Sequence, residues 1–198
     1  MTLLELVLVV AVMAILAGMV VPLLGGVTDT AQNDGTEASL SELRDVIMGR
    51  EGLPGFRADA GRMPTRLGEL FVQPADVGAF NPQTRRGWRG PYIMNATRIY
   101  ADPVPSANAA NPASGYYGLA GDPAVADGWF RPIVLQTPAD PNYDAETNAR
   151  YVRLISAGPD GVITTSPVLL YPPRPEFDGG AARGDDIVVF LRVADATP

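Results

Sequence analysis

Cysteine and histidine are both absent from these 198 residues, and every one of the 15 basic side chains is arginine. Without cysteine there is neither a disulfide framework nor a thiolate metal site. Without histidine the commonest general base, the usual zinc ligand and every histidine-dependent triad are excluded. An enzyme of this composition would have to work with carboxylates, hydroxyls or arginine, and no enzymatic activity is expected. Positive charge is short as well: 22 acids outnumber the arginines and leave a net charge of −7. Duplex binding usually needs a basic footprint, so direct contact with nucleic acid is not expected.

Long apolar runs are scarce, with one exception. From Leu6 to Leu24 no residue is charged. At about 1.5 Å per residue that tract spans roughly 28 Å as a helix, close to the about 30 Å core of a bilayer. No positive side chain precedes it, and it leads into an amphipathic segment rather than a small-residue cleavage site. The expectation is a retained, membrane-spanning half-helix. Glu5 stands at its head. A carboxylate near the centre of a membrane helix costs about 2.5–3.5 kcal/mol, less near the interface, and such groups tend to be paired. The available cation is the α-amino group of Met1, from the same chain or a neighbouring copy. A carboxylate resting among headgroups is the alternative, and the residues alone leave both open.

After Pro22 and Gly25-Gly26 helical spacing returns. Ala31, Ala38, Leu40, Leu43, Val46 and Ile47 recur near helical intervals, with Glu37, Glu42, Arg44 and Asp45 on other faces. The pattern predicts one long helix from about Thr2 to Gly49. Pro22 should kink or loosen it, because proline lacks an amide proton and clashes with the preceding turn. Gly49, Gly52, Pro54 and Gly55 end it.

Beyond the helix the chain is dense in proline and glycine. A short helix is predicted near Thr65–Phe71, and strands at Ile133–Gln136, Tyr151–Ser156 and Ile187–Val193. Arg153 suggests that the second strand has one wet face. Ile187-Val188-Val189-Phe190-Leu191 is apolar on both faces and reads as a central strand. Residues 101–128 and 138–149 read as long surface loops. The fold class is therefore α+β: a long N-terminal helix, membrane-spanning in its first half and amphipathic in its second, packed on a small antiparallel sheet. Residues 1–26 form the hydrophobic half. Residues 27–198 form a globular head that includes the amphipathic half-helix at about 27–50.

Met1-Thr2-Leu3-Leu4-Glu5-Leu6, followed by an apolar tract and Pro22, resembles the mature N-terminus of type IV pilin-like proteins. Later segments narrow the resemblance to the major pseudopilins of type II secretion systems. Asp59-Ala60-Gly61-Arg62-Met63-Pro64-Thr65, with Leu67-Gly68-Glu69-Leu70, is similar to their segment after the long helix. Trp88-Arg89-Gly90-Pro91-Tyr92-Ile93 matches their Trp-x-Gly-Pro-Tyr motif. Asp127-Gly128-Trp129-Phe130-Arg131-Pro132 resembles their Asp-Pro-Trp-Gly-x-Pro turn, with two changes. Ser156-Ala157-Gly158-Pro159-Asp160-Gly161 and Gly184-Asp185-Asp186-Ile187 resemble their closing Ser-x-Gly-x-Asp-Gly … Asp-Ile signature. These pieces follow the family's order along nearly the whole chain. Departures are Met1 where the family usually has Phe, longer loops, and a Pro-rich run from Pro167 to Pro175.

The resemblance implies the pilin fold and a structural subunit that polymerises through its N-terminal helix. It implies cleavage before Met1 by a prepilin peptidase, methylation of its amine, an assembly platform and minor pilins as partners, and a part in protein transport. The chain would be a single-pass inner-membrane protein before assembly, then part of a periplasmic, cell-surface or extracellular filament. Met1, Thr2, Glu5 and Pro22 become the assembly residues: Glu5 pairs with a neighbour's Met1 amine, and Pro22 marks a stretch that extends. Thr2 also suits an ordinary helix-start hydrogen bond. A type IV pilus serving adhesion, motility or DNA uptake is the alternative filament. A membrane-anchored binding domain that never polymerises is the alternative class, ahead of a two-carboxylate enzyme.

Asp160, Asp178, Asp185 and Asp186 are the candidate metal ligands. Carboxylates and loop carbonyls suit a hard cation such as Ca²⁺, and the resemblance implies a structural calcium in this loop. Asp-Gly turn chemistry at Asp160-Gly161 and Asp178-Gly179 accounts for the same residues without an ion. Trp88, Tyr92 and Trp129 read as packing residues. Asn95-Ala96-Thr97 satisfies the N-glycosylation triplet, and Tyr116-Tyr117 fits either an adhesive or a solvated loop.

Overall fold

In the computed structural model, residues 2–94, 98–99, 121–138, 141, 144, 148–166 and 184–191 are described, with backbone alone over 17–27 and 98–99. The fold is α+β, with a small antiparallel sheet. Helix α1 covers Leu3–Met48, about 69 Å of helix. Thr2 caps its start, and Gly49 at φ +91° ends it. A Cβ at Gly49 would lie 2.8 Å from the Gly55 amide and the Leu53 carbonyl, so the turn out of α1 requires glycine there. The helix runs through Pro22 without a break, although the sequence predicts a loosened stretch. Proline deletes one amide donor, and the turns on both sides keep the helical backbone in place.

The buried stripe of α1 is Thr36, Leu40, Leu43 and Ile47. Ala31 and Ala38, expected on this face, are exposed; Thr36 takes the inward position because both sides of its hydroxyl are satisfied. After α1 come strands β1 (Gly49–Arg50) and β2 (Leu53–Pro54), a two-stranded hairpin, and helix α2 (Phe56–Ala60). The sequence patterns do not predict α2. A 3₁₀ helix at Leu67–Leu70 follows, inside the helix predicted for Thr65–Phe71. Strands β3 (Arg98–Ile99) and β4 (Pro123–Ala124) pair with each other.

The main sheet contains β5 (Val134–Gln136), β6 (Arg153–Ser156) and β7 (Ile187–Phe190), antiparallel in the order β5-β6-β7. Alternation along the strands feeds two cores. Leu135 and Leu154, opposite each other, join Leu40, Leu43, Ile47, Phe56, Leu67 and Leu70 on the α1 side. Val134 and Ile155 join Ala124, Ala157 and Ile163 on the other side. Two expectations are corrected. Among the described strands β6 is central and β7 lies at an edge, its residues only half-buried. Arg153 is fully buried rather than facing water: its guanidinium donates to Gln136 Oε1 and the Ser166 carbonyl and lies 5.9 Å from the Phe190 ring centroid.

The segments 59–70 and 88–93 form one interlocked layer over α1. Asp59 is buried and accepts from Arg89 at 3.0 Å and from the Tyr92 hydroxyl at 2.9 Å. Burial pushes the Tyr92 hydroxyl up to about 12. Trp88 donates to the Glu69 carbonyl at 3.2 Å, and both Trp88 and Phe56 meet Tyr92 edge-on. Trp88 and Tyr92 are packing residues, as their sequence context suggests.

Candidate assembly site

Thr2 opens α1 as a capping box. Its hydroxyl accepts the Glu5 amide at 3.3 Å, while its own amide donates to Glu5 Oε2 at 3.4 Å. Two donors that a helix start leaves without intrahelical partners are thereby met. Glu5 also stands in the first turn, where the positive end of the helix dipole favours a carboxylate. Met1 lies outside the described residues; the partner found for Glu5 is Thr2 of its own chain.

Behind this cap the helix is bare. The large apolar side chains from Leu3, 84% exposed, to Leu16 all face outward without cover. Burying each aliphatic side chain would stabilise by about 1.5–3 kcal/mol relative to water. Among the described residues no helix is long and apolar enough to cross a membrane. The described side chains of the tract end at Leu16, about 20 Å of helix from Leu3. The Pro22 side chain lies outside the described set.

Farther along α1 the later motif segments meet in a hydrogen-bonded frame. The Gly128 amide donates to Thr36 Oγ1 at 2.9 Å, and the Thr36 hydroxyl donates to the Gln32 carbonyl at 2.8 Å. The buried Asp127 carboxylate accepts the amides of Trp129 and Arg131 on one oxygen and the Ser156 hydroxyl, at 2.6 Å, on the other. Arg131 donates to the Gly158 carbonyl. Gly158, at φ +57°, leaves room only for the Asp185 backbone, 2.3 Å from where its Cβ would stand. Asp185 Oδ2 then accepts the Asp160 amide at 2.9 Å. The segments 127–131, 156–161 and 184–186 are therefore one structure, a latch between α1 and the sheet.

Three of the four candidate metal ligands lie in or beside this latch. Asp160 Oδ1 accepts the Val162 amide at 2.7 Å, an Asx turn completed by Gly161 at φ +78°. Asp186 Oδ2 collects the amides and hydroxyls of Thr164 and Thr165, while its buried Oδ1 has no partner among the described residues. Burial holds its carboxyl above the usual range. Asp178 lies outside the described residues, as do Asn95 and Tyr116-Tyr117. Among the described residues no group of three or more acidic side chains converges as a cation site. No family model, no curated protein and no solved structure matches the chain.

Proposed function

We propose that this chain is the structural subunit of a helical filament of the type IV pilin-like class, nearest to the major pseudopilins of type II secretion systems. One observation carries the reading: the bare aliphatic shaft Leu3–Leu16 belongs to the same helix as the buried stripe Thr36–Ile47 of the domain. In this reading residues 1–26 anchor each copy in the inner membrane and then form the filament core, and residues 27–198 form the head. Leaving lipid exchanges one apolar surrounding for another, so the shafts must pack on one another once extracted. The stretch from Gly18 to Gly26, weakened by Pro22, unwinds during assembly and lets heads and cores settle separately.

Glu5 acts as the register check. In the subunit its carboxylate is held by the Thr2 amide; on assembly it pairs with the Met1 amine of the neighbour. Stranding one member of a buried pair costs about 3–5 kcal/mol, so an axially misplaced subunit is rejected. Glu5→Ala is expected to insert in the membrane and yield few fibres in negative-stain microscopy of sheared surface material. Fibre yield equal to wild type would sink the pairing. A wild-type chain that never leaves the monomeric state would sink the filament. Calcium belongs to the proposal with Asp160 and Asp185 as the side-chain ligands and loop carbonyls beside them.

A further inference from the structure

Phe130 is held in a backbone conformation that aromatic residues avoid, yet its ring stands in water. Its φ is +60°, in the left-handed region where Cβ crowds the following carbonyl oxygen. The residue is 74% exposed. Glycine adopts this conformation without that strain. The surrounding turn imposes it. The Phe130 amide donates to the Asp127 carbonyl at 3.0 Å, and the Asp127 amide to the Arg131 carbonyl at 2.8 Å. Asp127 is fastened to β6 through Ser156, and the Gly128 amide to α1 through Thr36. The turn lies so close to α1 that a Cβ at Gly128 would stand 2.1 Å from the Gln32 carbonyl oxygen. It cannot relax without releasing the helix or the sheet.

Folding alone gives no reason for an aromatic side chain at this position. Among the described residues Phe130 is the exposed aromatic, and it is presented on a turn fastened to both α1 and β6. Strain that a rigid frame over-determines concentrates where a side chain is needed for contact. Aromatic anchors on rigid supports are what protein interfaces use.

The geometry points to Phe130 as an anchor that docks on the aliphatic shaft Leu3–Leu16 of a second copy of this chain. The inference rests on the filament reading and deepens it. Among the described residues the shaft carries most of the exposed large hydrophobic side chains, so it is a surface that needs cover. Phe130 sits on the shaft side of the domain, its turn touching α1 at Gln32 and Thr36, ahead of the core stripe Leu40–Ile47. Its own shaft is out of reach, because Gln32 is about 24 Å along the helix from Leu16 and about 44 Å from Leu3. A second copy displaced along the axis by about that range lays its shaft beside the ring. Uncharged aliphatic side chains then meet an uncharged ring, and both leave water.

Phe130→Gly separates the anchor from the fold. Relief of the left-handed strain is expected to raise the melting temperature by about 2–4 °C, while fibre yield falls by about tenfold or more. Phe130→Leu, which keeps an apolar side chain, should retain more fibre than Phe130→Gly. The lack of natural cysteine permits a direct contact test. Chains carrying a cysteine scanned over Leu3–Leu16, which keep Phe130, doped with a minority of Phe130→Cys chains and treated with a mild oxidant, should form disulfide-linked dimers in fibres and none when dispersed in detergent. Wild-type fibre yield from Phe130→Gly, or no cross-link at any scanned position, overturns the anchor. Absence of fibres from the wild-type chain overturns the filament reading itself, which distinguishes the two failures.

Discussion

Thr36 Oγ1 accepts the Gly128 amide at 2.9 Å, joining the middle of α1 to a turn 92 residues later in the chain. Both residues are tightly placed: Thr36 is fully buried, and Gly128 meets the Gln32 backbone where a side chain would begin. Thr36→Val keeps the shape and strands the amide, which should cost about 1–3 kcal/mol. Thr36→Ser keeps the hydroxyl and should lose less. Gly128→Ala should cost about 1–3 kcal/mol, near the upper end, because the obstructing atom is helix backbone and no side chain can swing aside. Urea melts in detergent check the series. Equal midpoints for Thr36→Val and wild type would show that the latch holds nothing.

The features legible in the sequence are the local ones. The ends of α1 follow from Thr2 and Gly49, since a cap and a stop act on adjacent backbone. Val134, Leu154, Ile155 and Val188 lie in apolar runs of strand length, and all three strands of the main sheet form there. What escaped is set by partners far off in the chain. Asp59 looks like a solvated acid until Arg89 and Tyr92, thirty residues on, close over it. The short α2 around it has no periodicity to detect. At the N-terminus the Thr2–Glu5 cap is readable as a pattern, whereas the positive φ of Phe130 is not, because aromatic residues carry no signal for it.

Arg153 is the plainest such case: alternation predicts water, and the structure buries it in the central strand. The planar guanidinium donates to Gln136 Oε1 and the Ser166 carbonyl at the same time. A lysine ammonium cannot reproduce that fork and would keep a buried charge with poorer hydrogen bonding. Arg153→Met removes the charge and retains the apolar stem. Thermal melts should therefore rank wild type above Arg153→Met and Arg153→Met above Arg153→Lys, with Lys losing about 2 kcal/mol or more. A lysine variant as stable as wild type would contradict the assignment.

Calcium offers a separate test of the acidic loop. If Asp160 and Asp185 hold the ion with loop carbonyls, millimolar Ca²⁺ raises the melting temperature of the intact chain and EDTA reverses the rise. Asp160→Asn should abolish the response. Identical melting curves in calcium and EDTA would leave Asp160 as the turn residue it already is in the bond to Val162.

Asp186 predicts the sign of a pH dependence. Burial raises its carboxyl pKa despite four donors from Thr164 and Thr165 on Oδ2. A folded-state value above the unfolded one means that the native protein binds this proton more tightly. The contribution is present below the ordinary carboxylate range and is lost as pH rises through the raised value. Wild type should therefore gain stability relative to Asp186→Asn as pH falls from 7 towards 4, because the asparagine variant lacks the titrating group. Asp186→Ala is expected to lose about 1–3 kcal/mol for each Thr164 or Thr165 donor left unpaired, at either pH. Urea midpoints at pH 7, 5.5 and 4 decide it: parallel profiles for wild type and Asp186→Asn would show that the loop does not favour the protonated form, and a wild type that loses stability relative to Asp186→Asn as pH falls would show that the ionised form is the one it prefers.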